Sequence, residues 1–259
     1  MKTFINIRLF IYIAIGSSLL SCRTEQVITG PIKYELLSVD SRWDTRQDTA
    51  LVRALAPYKQ ALDSTMNIVI GQSAQNMPVD KPESLMTNWT ADMVKEVVEK
   101  ISGQKCDFSI MNTGGIRTSL RKGDVTIGDI FSIFPFENTL SLVKMKGSDV
   151  RDLFEIISRR GGEGVSHEIR LVIKGNSTQS VSIAGKPIDD NKIYTIATID
   201  YVADGNDDMV SFRKATERKD FPGTMRDITI EYIKKLTANK KPIKSSLEER
   251  ITVDLSLIH

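Results

Sequence analysis

A mixed α+β domain is the fold class that the sequence predicts, and three observations carry the prediction. Segments with strand-like and helix-like apolar patterns mix along the chain without a strict strand–helix alternation. A hydrophobic fraction of 41% and a charged fraction of 26% are typical of a globular domain. The 259 residues suffice to bury a core, and one domain of ordinary size is expected. There is no Gly-rich phosphate loop or internal repeat.

The first residues have the pattern of an export signal. Lys2 and Arg8 precede an apolar run over residues 9–20, and Ser21 and Cys22 follow the run. This order predicts a secretory signal over residues 1–21, because the run is too short for a good membrane span. The ending Leu-Leu-Ser-Cys resembles the lipobox of bacterial lipoproteins. We therefore expect lipidation of Cys22 and an exported, membrane-anchored protein of the bacterial cell envelope, on its periplasmic or surface side.

The remaining chain divides into a polar tether over residues 22–32 and a domain over residues 33–259. Without residues 1–21 the formal charge falls from +2 to zero, so no electrostatic argument favours a nucleic-acid partner. Contact with the membrane is expected through the lipid anchor only. Cys106 is then the only unmodified cysteine, which excludes an internal disulfide, and its apolar neighbours predict a buried thiol.

The elements up to residue 111 follow from apolar spacing. Residues 83–101 predict the clearest helix, because apolar side chains recur at steps of three and four, and Gly103 ends it. An earlier helix is predicted over residues 47–62, where Pro57 interrupts or kinks it. Short apolar or alternating runs predict three strands, at 34–39, at 67–70 with Gly71 as the stop, and at 107–111.

The later elements are shorter. Ser148 is predicted to cap a helix in which Val150, Leu153, Phe154 and Ile157 form the apolar stripe. A last helix is predicted over residues 225–236. Five strands are expected, at 140–145, 168–173, 181–183, 194–199 and 251–255.

Metal ligands are scarce. The chain has two histidines, His167 and His259, and no HxxE, HxxxH, CxxC or Asp-x-His pair. A two-metal site needs several His and Asp ligands, so we expect neither a catalytic metal nor another cofactor in this chain. No GxSxG segment or activating base points to a catalytic nucleophile.

A binding constellation follows the strand at 107–111. Gly114 and Gly115 at a strand end allow close approach of a ligand or unusual backbone dihedrals. Arg117 can present its planar fork to a phosphate or carboxylate, and Asn112 can donate and accept through its amide. Each feature also has a plainer structural interpretation, because a Gly-Gly pair alone is weak evidence.

Two later clusters add aromatic and polar groups. Phe136 stands beside Asn138, and Tyr201 precedes the acidic turn that contains Asp207. Two aromatic rings can hold a flat base between them, and a carboxylate can accept from ribose hydroxyls. Taken separately, however, an aromatic near a strand end is more often core, and an acidic turn is usually only solvated.

The three clusters together resemble one family. Residues 112–143, NTGGIRTSLRKGDVTIGDIFSIFPFENTLSLV, are similar to the NGGGIR…GDIT…LPFGN signature of the 5'-nucleotidase C-terminal domain. Residues 185–207 resemble GKPLDPNKTYRVATNDFLANGGD of that domain, and Asn88 and Asp92 match an earlier block over residues 83–93. The blocks occur in family order, and the resemblance covers about residues 33–256.

The resemblance implies a four-layer α/β/β/α arrangement that binds a nucleotide or nucleoside. It also implies a role for each matching residue. Phe136 and Tyr201 would stack the base, Asn138 would contact the base edge, Asn112 and Arg117 the phosphate or adjoining ribose, and Asp207 the ribose hydroxyls. In the family, a separate N-terminal metallophosphatase domain carries two metal ions and the catalytic His-Asp pair, and this sequence contains no such residues.

Several positions depart from the family pattern. Thr113 and Glu137 replace glycines, and Asp208 stands where a second glycine is usual. Glu137 adds a negative charge that would disfavour a polyphosphate, and Lys81 lies where the family often has a phosphate-binding Arg. His167 stands where the family has Gly, so it either narrows the site or lies on the surface.

Three functions are compatible with these features. In the first, the chain is the specificity half of a split phosphohydrolase of nucleotide catabolism, inactive without a separate metallophosphatase chain that holds the divalent metals. In the second, it is a non-catalytic nucleotide receptor of the envelope. In the third, it is a structural module that has lost its ligand, which the intact Arg117, Phe136, Asn138 and Asp207 argue against. The sequence does not identify the nucleotide.

Overall fold

The computed structural model describes residues 34–43 and 48–254. The predicted signal over residues 1–21, the lipidation of Cys22 and the tether over 22–32 rest on sequence alone, since all of these positions lie outside the described residues. Within the described part, no helix is both long and apolar enough to cross a membrane.

The chain divides into two compact units, residues 1–53 and 54–259. In the first unit, the predicted strand over residues 34–39 is wrong, because this segment pairs with no strand of the described chain. Its apolar side chains are exposed, so it has no packed face to stabilise a strand. A 3₁₀ turn at Ser41–Trp43 follows, with an ion pair of 2.7 Å between Arg42 and Asp40.

Six helices and eleven strands of the described residues follow in a mixed order. The helices are α1 (Thr49–Met66, beginning in the first unit), α2 (Leu85–Ser102), α3 (Ile127–Ile133), α4 (Gly147–Arg159), α5 (Asp200–Ala203) and α6 (Met225–Ala238). The strands are β1 (Val69–Ser73), β2 (Phe108–Met111), β3 (Gly123–Thr126), β4 (Thr139–Lys146), β5 (Gly164–Val165), β6 (Ile169–Lys174), β7 (Ser177–Ile183), β8 (Lys186–Pro187), β9 (Ile193–Ile199), β10 (Glu217–Thr224) and β11 (Ile251–Asp254).

Three sheets organise the second unit. The largest has the order β10-β4-β9-β2-β5, the next β11-β6-β7-β8, and the smallest joins β1 to β3. Pairs β2–β9 and β11–β6 are parallel, and the other pairs are antiparallel. Helix α2 packs on β2, β5 and β9, whereas α4 packs on β4, β9 and β7. The predicted α+β fold class is confirmed.

Helix α2 shows how local sequence sets the boundaries of an element. Ser84 accepts a hydrogen bond from the backbone N–H of Thr87 and forms a capping box with it. Gly103 ends the helix in the left-handed region with φ of 70°. Between them Met86 and Met93 are buried, as the spacing predicts. The predicted helix and its stop are both confirmed.

Two predicted boundaries are wrong because tertiary contacts replace the local signal. Strand β1 continues through Gly71 to Ser73. A Cβ at Gly71 would lie 2.6 Å from Cγ2 of Ile233, so the glycine at this position allows α6 to pack closely against the strand. Ser148 does not cap α4, which already begins at Gly147. The first backbone N–H groups there donate to carbonyls of the turn after β8, Gly147 to Lys192 at 2.9 Å and Ser148 to Asp190 at 3.3 Å.

Strands β3 and β10 have no counterpart among the predicted elements. Both are rich in polar residues, and β10 is exposed along most of its length, so neither has the alternation that marks a half-buried strand. Strand β10 is an edge strand that pairs with β4 only, and its register shifts after Asp220, before Pro222.

A buried arginine ties the end of the described chain to α2. Arg250 is 1% exposed and forms a bidentate pair with Asp92 at 2.9 and 2.7 Å. Glu83 accepts from the backbone N–H groups of Arg250 and Glu248, each at 2.9 Å, and from the amide of Asn88 at 2.6 Å. The two residues that match the early family block, Asn88 and Asp92, therefore hold the fold together.

Candidate functional site

One cavity brings together all six sequence-predicted site residues. Its volume is about 290 Å³, close to the lower end of ordinary ligand sites. Four segments supply its walls: the turn after β2, the turn after α3, helix α5 and the turn that follows it. The lining residues are Asn112, Gly114, Gly115, Arg117, Phe136, Asn138, Tyr201 and Asp207.

The turn after β2 is shaped by Asn112. All residues of β2 are buried, and Asn112 at its end is 3% exposed. Its Nδ2 donates to Oδ2 of Asp207 at 2.7 Å. A Cβ at Gly115 would lie 2.7 Å from Oδ1 of Asn112, so glycine is required for this turn to fold over the amide. By contrast, the nearest atom to a Cβ at Gly114 would be Oδ2 of Asp207 at 3.9 Å.

Arg117 is the cation of the cavity wall. Its backbone N–H donates to the carbonyl of Ile133 at 2.9 Å, which ties the turn after β2 to the end of α3. Its guanidinium donates to the carbonyl of Gly114 at 3.2 Å. None of the ion pairs within residues 34–43 and 48–254 includes Arg117, so its charge is available to an anionic group.

The two predicted stacking residues are accessible. Phe136 is 48% exposed and Tyr201 is 38% exposed, whereas most aromatic side chains of the core are buried. Asn138 is half-buried, and its backbone carbonyl accepts from the N–H of Met225 at 2.7 Å, which fixes this turn to the start of α6. Exposed rings at a cavity rim suit a flat, partly apolar ligand.

Asp207 occupies an unusual backbone conformation. Its φ is 54° and that of Asp208 is 61°, so two consecutive residues other than glycine lie in the left-handed region. Such conformations cost free energy and persist where surrounding contacts hold them. The Oδ1 atom of Asp207 accepts from the hydroxyl of Tyr201 at 3.5 Å, and Oδ2 accepts from Asn112.

The sequence did not predict a cluster of three charged residues, Lys81, Arg160 and Glu163, behind the cavity. Glu163 has a fully buried side chain whose carboxylate pairs with Lys81 at 2.9 Å and Arg160 at 2.8 Å. Arg160 also approaches Asp207, with its Nη2 3.7 Å from Oδ2. Of these residues, the sequence singled out only Lys81, which lies where the family often has a phosphate-binding Arg. Arg160 and Glu163 are only three residues apart, but the contacts of Glu163 with Lys81 and Thr113 are long-range and leave no local pattern.

Two departures from the family pattern can now be placed. Glu137 does not line the cavity; its side chain is 82% exposed, 3.8 Å from Arg226. His167 lies on the surface with a side chain that is 60% exposed, beside Glu168 at 3.1 Å and Asp92 at 3.5 Å. The second of the two predictions for His167, a surface position, is confirmed.

The described residues contain no group of three or more His, Cys, Asp and Glu side chains arranged to hold a metal ion. Chemically, the cavity offers one cation, one carboxylate, two amides and two rings. These groups can recognise a ligand by charge, hydrogen bonds and stacking.

Fold and cavity together define an α+β domain with an aromatic-lined cavity. The model of the family "5'-nucleotidase, C-terminal domain" matches residues 69–214, and the chain belongs to this family. UshA of Yersinia enterocolitica is 29% identical over 167 residues, which are 62% of this chain and 30% of that protein. NAD 5'-nucleotidase of Haemophilus influenzae is 32% identical, over 56% of this chain and 27% of that protein.

Solved structures show the same fold. A 5'-nucleotidase precursor of Thermus thermophilus matches with a TM-score of 0.69 at 24% identity, over 81% of this chain and 44% of that one. The NAD nucleotidase of Haemophilus influenzae matches with a TM-score of 0.60 at 23% identity, over 86% and 46%. The chain spans about 30% of the length of curated relatives such as UshA.

Proposed function

We propose that this chain binds a nucleoside or nucleotide and is the specificity half of a split 5'-nucleotidase-type phosphohydrolase. The observation that carries the proposal is the convergence of six matching residues, from segments far apart in sequence, on one cavity. Membership of the 5'-nucleotidase C-terminal domain family supports the same ligand class.

The proposed ligand contacts follow from the side chains present. The accessible rings of Phe136 and Tyr201 take the base, and stacking contributes about 1–3 kcal/mol per ring. The carboxylate of Asp207, oriented by Asn112, accepts from the two ribose hydroxyls. The amide of Asn138 reads the base edge.

The charges of the cavity favour a ligand with few phosphates. Among the described residues that line it, Arg117 is the one cation and Asp207 the one carboxylate. Lys81 and Arg160, the nearby cations, are already paired with Glu163. A nucleoside or nucleoside monophosphate therefore suits the site better than a polyphosphate, which would bring several charges to one guanidinium.

The catalytic metals are assigned, in this proposal, to a separate metallophosphatase chain. The chain belongs to a family with longer curated relatives, and its match to UshA covers 30% of that protein. The match lies in the part that carries the aromatic-lined cavity, so ligand recognition is the role proposed for it.

Calorimetric titration tests binding first. The full chain, made with Cys22→Ser to prevent lipidation, is titrated with adenosine, AMP and UDP-glucose, followed by a phosphate-release assay with Mn²⁺. We expect binding of adenosine and AMP, and release only after a metallophosphatase chain is added. Binding with no turnover under either condition would instead favour the envelope receptor. Absence of binding would favour the structural module.

We further propose that the protein is exported and held at the cell envelope by lipid on Cys22. The support is the order of charges, apolar run and cysteine in the first residues. Cys22→Ser should move the protein from the membrane fraction to the soluble fraction. Continued membrane association of the Cys22→Ser protein would contradict the anchor.

A further inference from the structure

Glu163 is a buried carboxylate whose partners come from three different segments of the chain, at Lys81, Thr113 and Arg160. Its side chain is wholly inaccessible, and Oε1 accepts from Lys81 at 2.9 Å and from Arg160 at 2.8 Å. The second oxygen, Oε2, accepts from the backbone N–H of Thr113 at 2.6 Å. Both carboxylate oxygens of Glu163 therefore have hydrogen-bonded partners, which offset the cost of burying the charge.

The contacts of Glu163 form a closed ring around the back of the cavity. Thr113 follows Asn112, whose amide donates to Asp207 at 2.7 Å. Asp207 in turn lies 3.7 Å from Arg160, and Arg160 pairs with Glu163 at 2.8 Å. The ring thus joins the turn after β2 to the turn that carries Asp207.

Close backbone packing holds Glu163 in this place. Gly162 has φ of 102°, and a Cβ there would lie 2.6 Å from the carbonyl oxygen of Pro82. Lys81, the residue before Pro82, also donates to the carbonyl of Arg160 at 2.8 Å. The segment after α4 is consequently fixed to the segment before α2, which places the backbone of Glu163 between its partners Lys81 and Arg160.

The backbone of Asp207 needs such support. Its left-handed conformation, shared with Asp208, is unfavourable for residues with a Cβ. Arg160 stands 3.8 Å from the carboxylate of Asp208 as well. Burial opposes the charged form of Arg160, but the hydrogen bond to Glu163 and the charges of Asp207 and Asp208 outweigh it and raise its pKa.

We propose that Glu163 is a positioning residue of the binding site, which acts through Thr113 on one wall and through Arg160 on Asp207. Its role is to hold the Asp207 carboxylate where two vicinal hydroxyls of a ribose can donate to it. The ligand side of this inference rests on the proposed function, whereas the positioning of Thr113 does not.

The test compares two ligands that differ only in those hydroxyls. Adenosine and 2',3'-dideoxyadenosine are titrated calorimetrically into the wild-type chain and into Glu163→Gln, both with Cys22→Ser. We expect the wild type to prefer adenosine by about tenfold or more, as for a hydrogen bond to a charged group. Glu163→Gln should lose most of this preference while binding of the dideoxy ligand changes little.

If Glu163 had a merely structural role, Glu163→Gln would lower the affinity for adenosine and for dideoxyadenosine by the same factor. The ratio of the two affinities would then stay unchanged. Glu99→Gln is the matched control, because Glu99 likewise accepts one backbone N–H, from Cys106 at 2.9 Å, and pairs with Lys95 at 3.2 Å and Lys105 at 3.1 Å. It does not line the cavity. The ligand ratio of Glu99→Gln should equal that of the wild type.

Arg160→Gln tests the link from Glu163 to Asp207 separately from the contact of Glu163 with Thr113. It remains informative if Glu163→Gln does not fold. It should lower the adenosine preference while the Thr113 amide stays protected from hydrogen exchange, since the Thr113–Glu163 bond is kept. Glu163→Leu should expose that amide to exchange. The proposal would be overturned if Glu163→Gln and Arg160→Gln both kept the wild-type ratio of adenosine affinity to dideoxyadenosine affinity. Unchanged protection of the Thr113 amide in Glu163→Leu would overturn it as well.

Failure of the proposed function gives a different result. If the wild type binds neither nucleoside, the assignment of Asp207 to ribose falls, and with it the ligand side of this inference. The exchange of the Thr113 amide in Glu163→Leu and Arg160→Gln then decides the positioning by itself.

Discussion

The side-chain amide of Asn112 donates to Oδ2 of Asp207 across 2.7 Å, between residues 95 positions apart in the sequence. Asn112 is itself buried, with 3% of its surface exposed. The bond orients the carboxylate of Asp207, which lines the cavity, so in the proposed function Asn112 influences ligand binding through Asp207.

Asn112→Asp should replace this bond with repulsion between two carboxylates. We expect adenosine affinity to fall about tenfold or more at pH 7.5. Like charges raise the pKa of one carboxyl, so its proton returns at a higher pH than usual and affinity should recover in part at pH 5.5. Calorimetry at both pH values measures this. Asn112→Ala adds no charge, and its loss of affinity should not recover on acidification.

Phe136→Ala and Tyr201→Ala should each weaken adenosine binding by about 1–3 kcal/mol, because each removes a stacking face. Tyr201→Phe keeps the ring and loses only the weak 3.5 Å contact with Asp207, so its affinity should stay within about threefold of wild type. Tyr58→Ala removes an exposed aromatic away from the cavity and is the control. If all four variants bound adenosine with equal affinity, the proposal that Phe136 and Tyr201 stack the base would be contradicted.

Gly147→Ala should destabilise the fold severely. An added Cβ would lie 1.8 Å from the carbonyl oxygen of Asp189, so the backbone itself must move. We expect a loss of about 3 kcal/mol or more, and a Tm lower by about 6–12 °C. Calorimetric melting measures it.

The neighbouring substitution Ser148→Ala is the control for Gly147→Ala. Its side chain is exposed and makes no capping bond, so stability should change by less than about 0.5 kcal/mol. A loss near 1 kcal/mol would instead mean that Ser148 caps α4 after all.

Acid should destabilise the protein in part through Glu168. Burial favours the neutral form of Glu168, but hydrogen bonds from Lys95 and Ser166 outweigh it and hold its pKa below the ordinary value of 4.5. The charged form thus contributes stability above pH 4.5 that is lost as pH falls through the lower folded pKa.

Urea unfolding at pH 7, 5 and 3 tests this contribution. Glu168→Gln should be less stable than wild type at pH 7 by about 1–3 kcal/mol. The difference between the two proteins should shrink at pH 3. A difference that stays constant over this range would mean that the charge of Glu168 does not contribute.

Cys106 should be inert in the native protein. It is 6% exposed, and burial, with the nearby Glu99 charge, raises the pKa of its thiol to about 12. At pH 8 the reactive thiolate is therefore almost absent. In the Cys22→Ser chain, a thiol reagent such as dithionitrobenzoate should react only after denaturant is added. Rapid reaction without denaturant would show that Cys106 is accessible.

Sequence reasoning found what leaves a local pattern. Apolar spacing located α2 and β9, and family motifs selected residues that do line one cavity, such as Phe136 and Asp207. It failed where distant contacts decide. The close packing of α6 allows Gly71 to stay within a strand. Two partners of Glu163, Lys81 and Thr113, come from segments that no sequence window unites with it.

The parallel pairing of β11 with β6 has a consequence for synthesis. Ile251 pairs with Leu171, and the buried Arg250 beside it is the partner of Asp92 in α2. These contacts have high sequence separation, so they form late and slow folding. A ribosome-bound chain that ends before Arg250 lacks the bidentate partner of Asp92 in α2. Folding of the second unit is therefore completed only after β11 has left the ribosome, and until then the chain exposes apolar surface to chaperones.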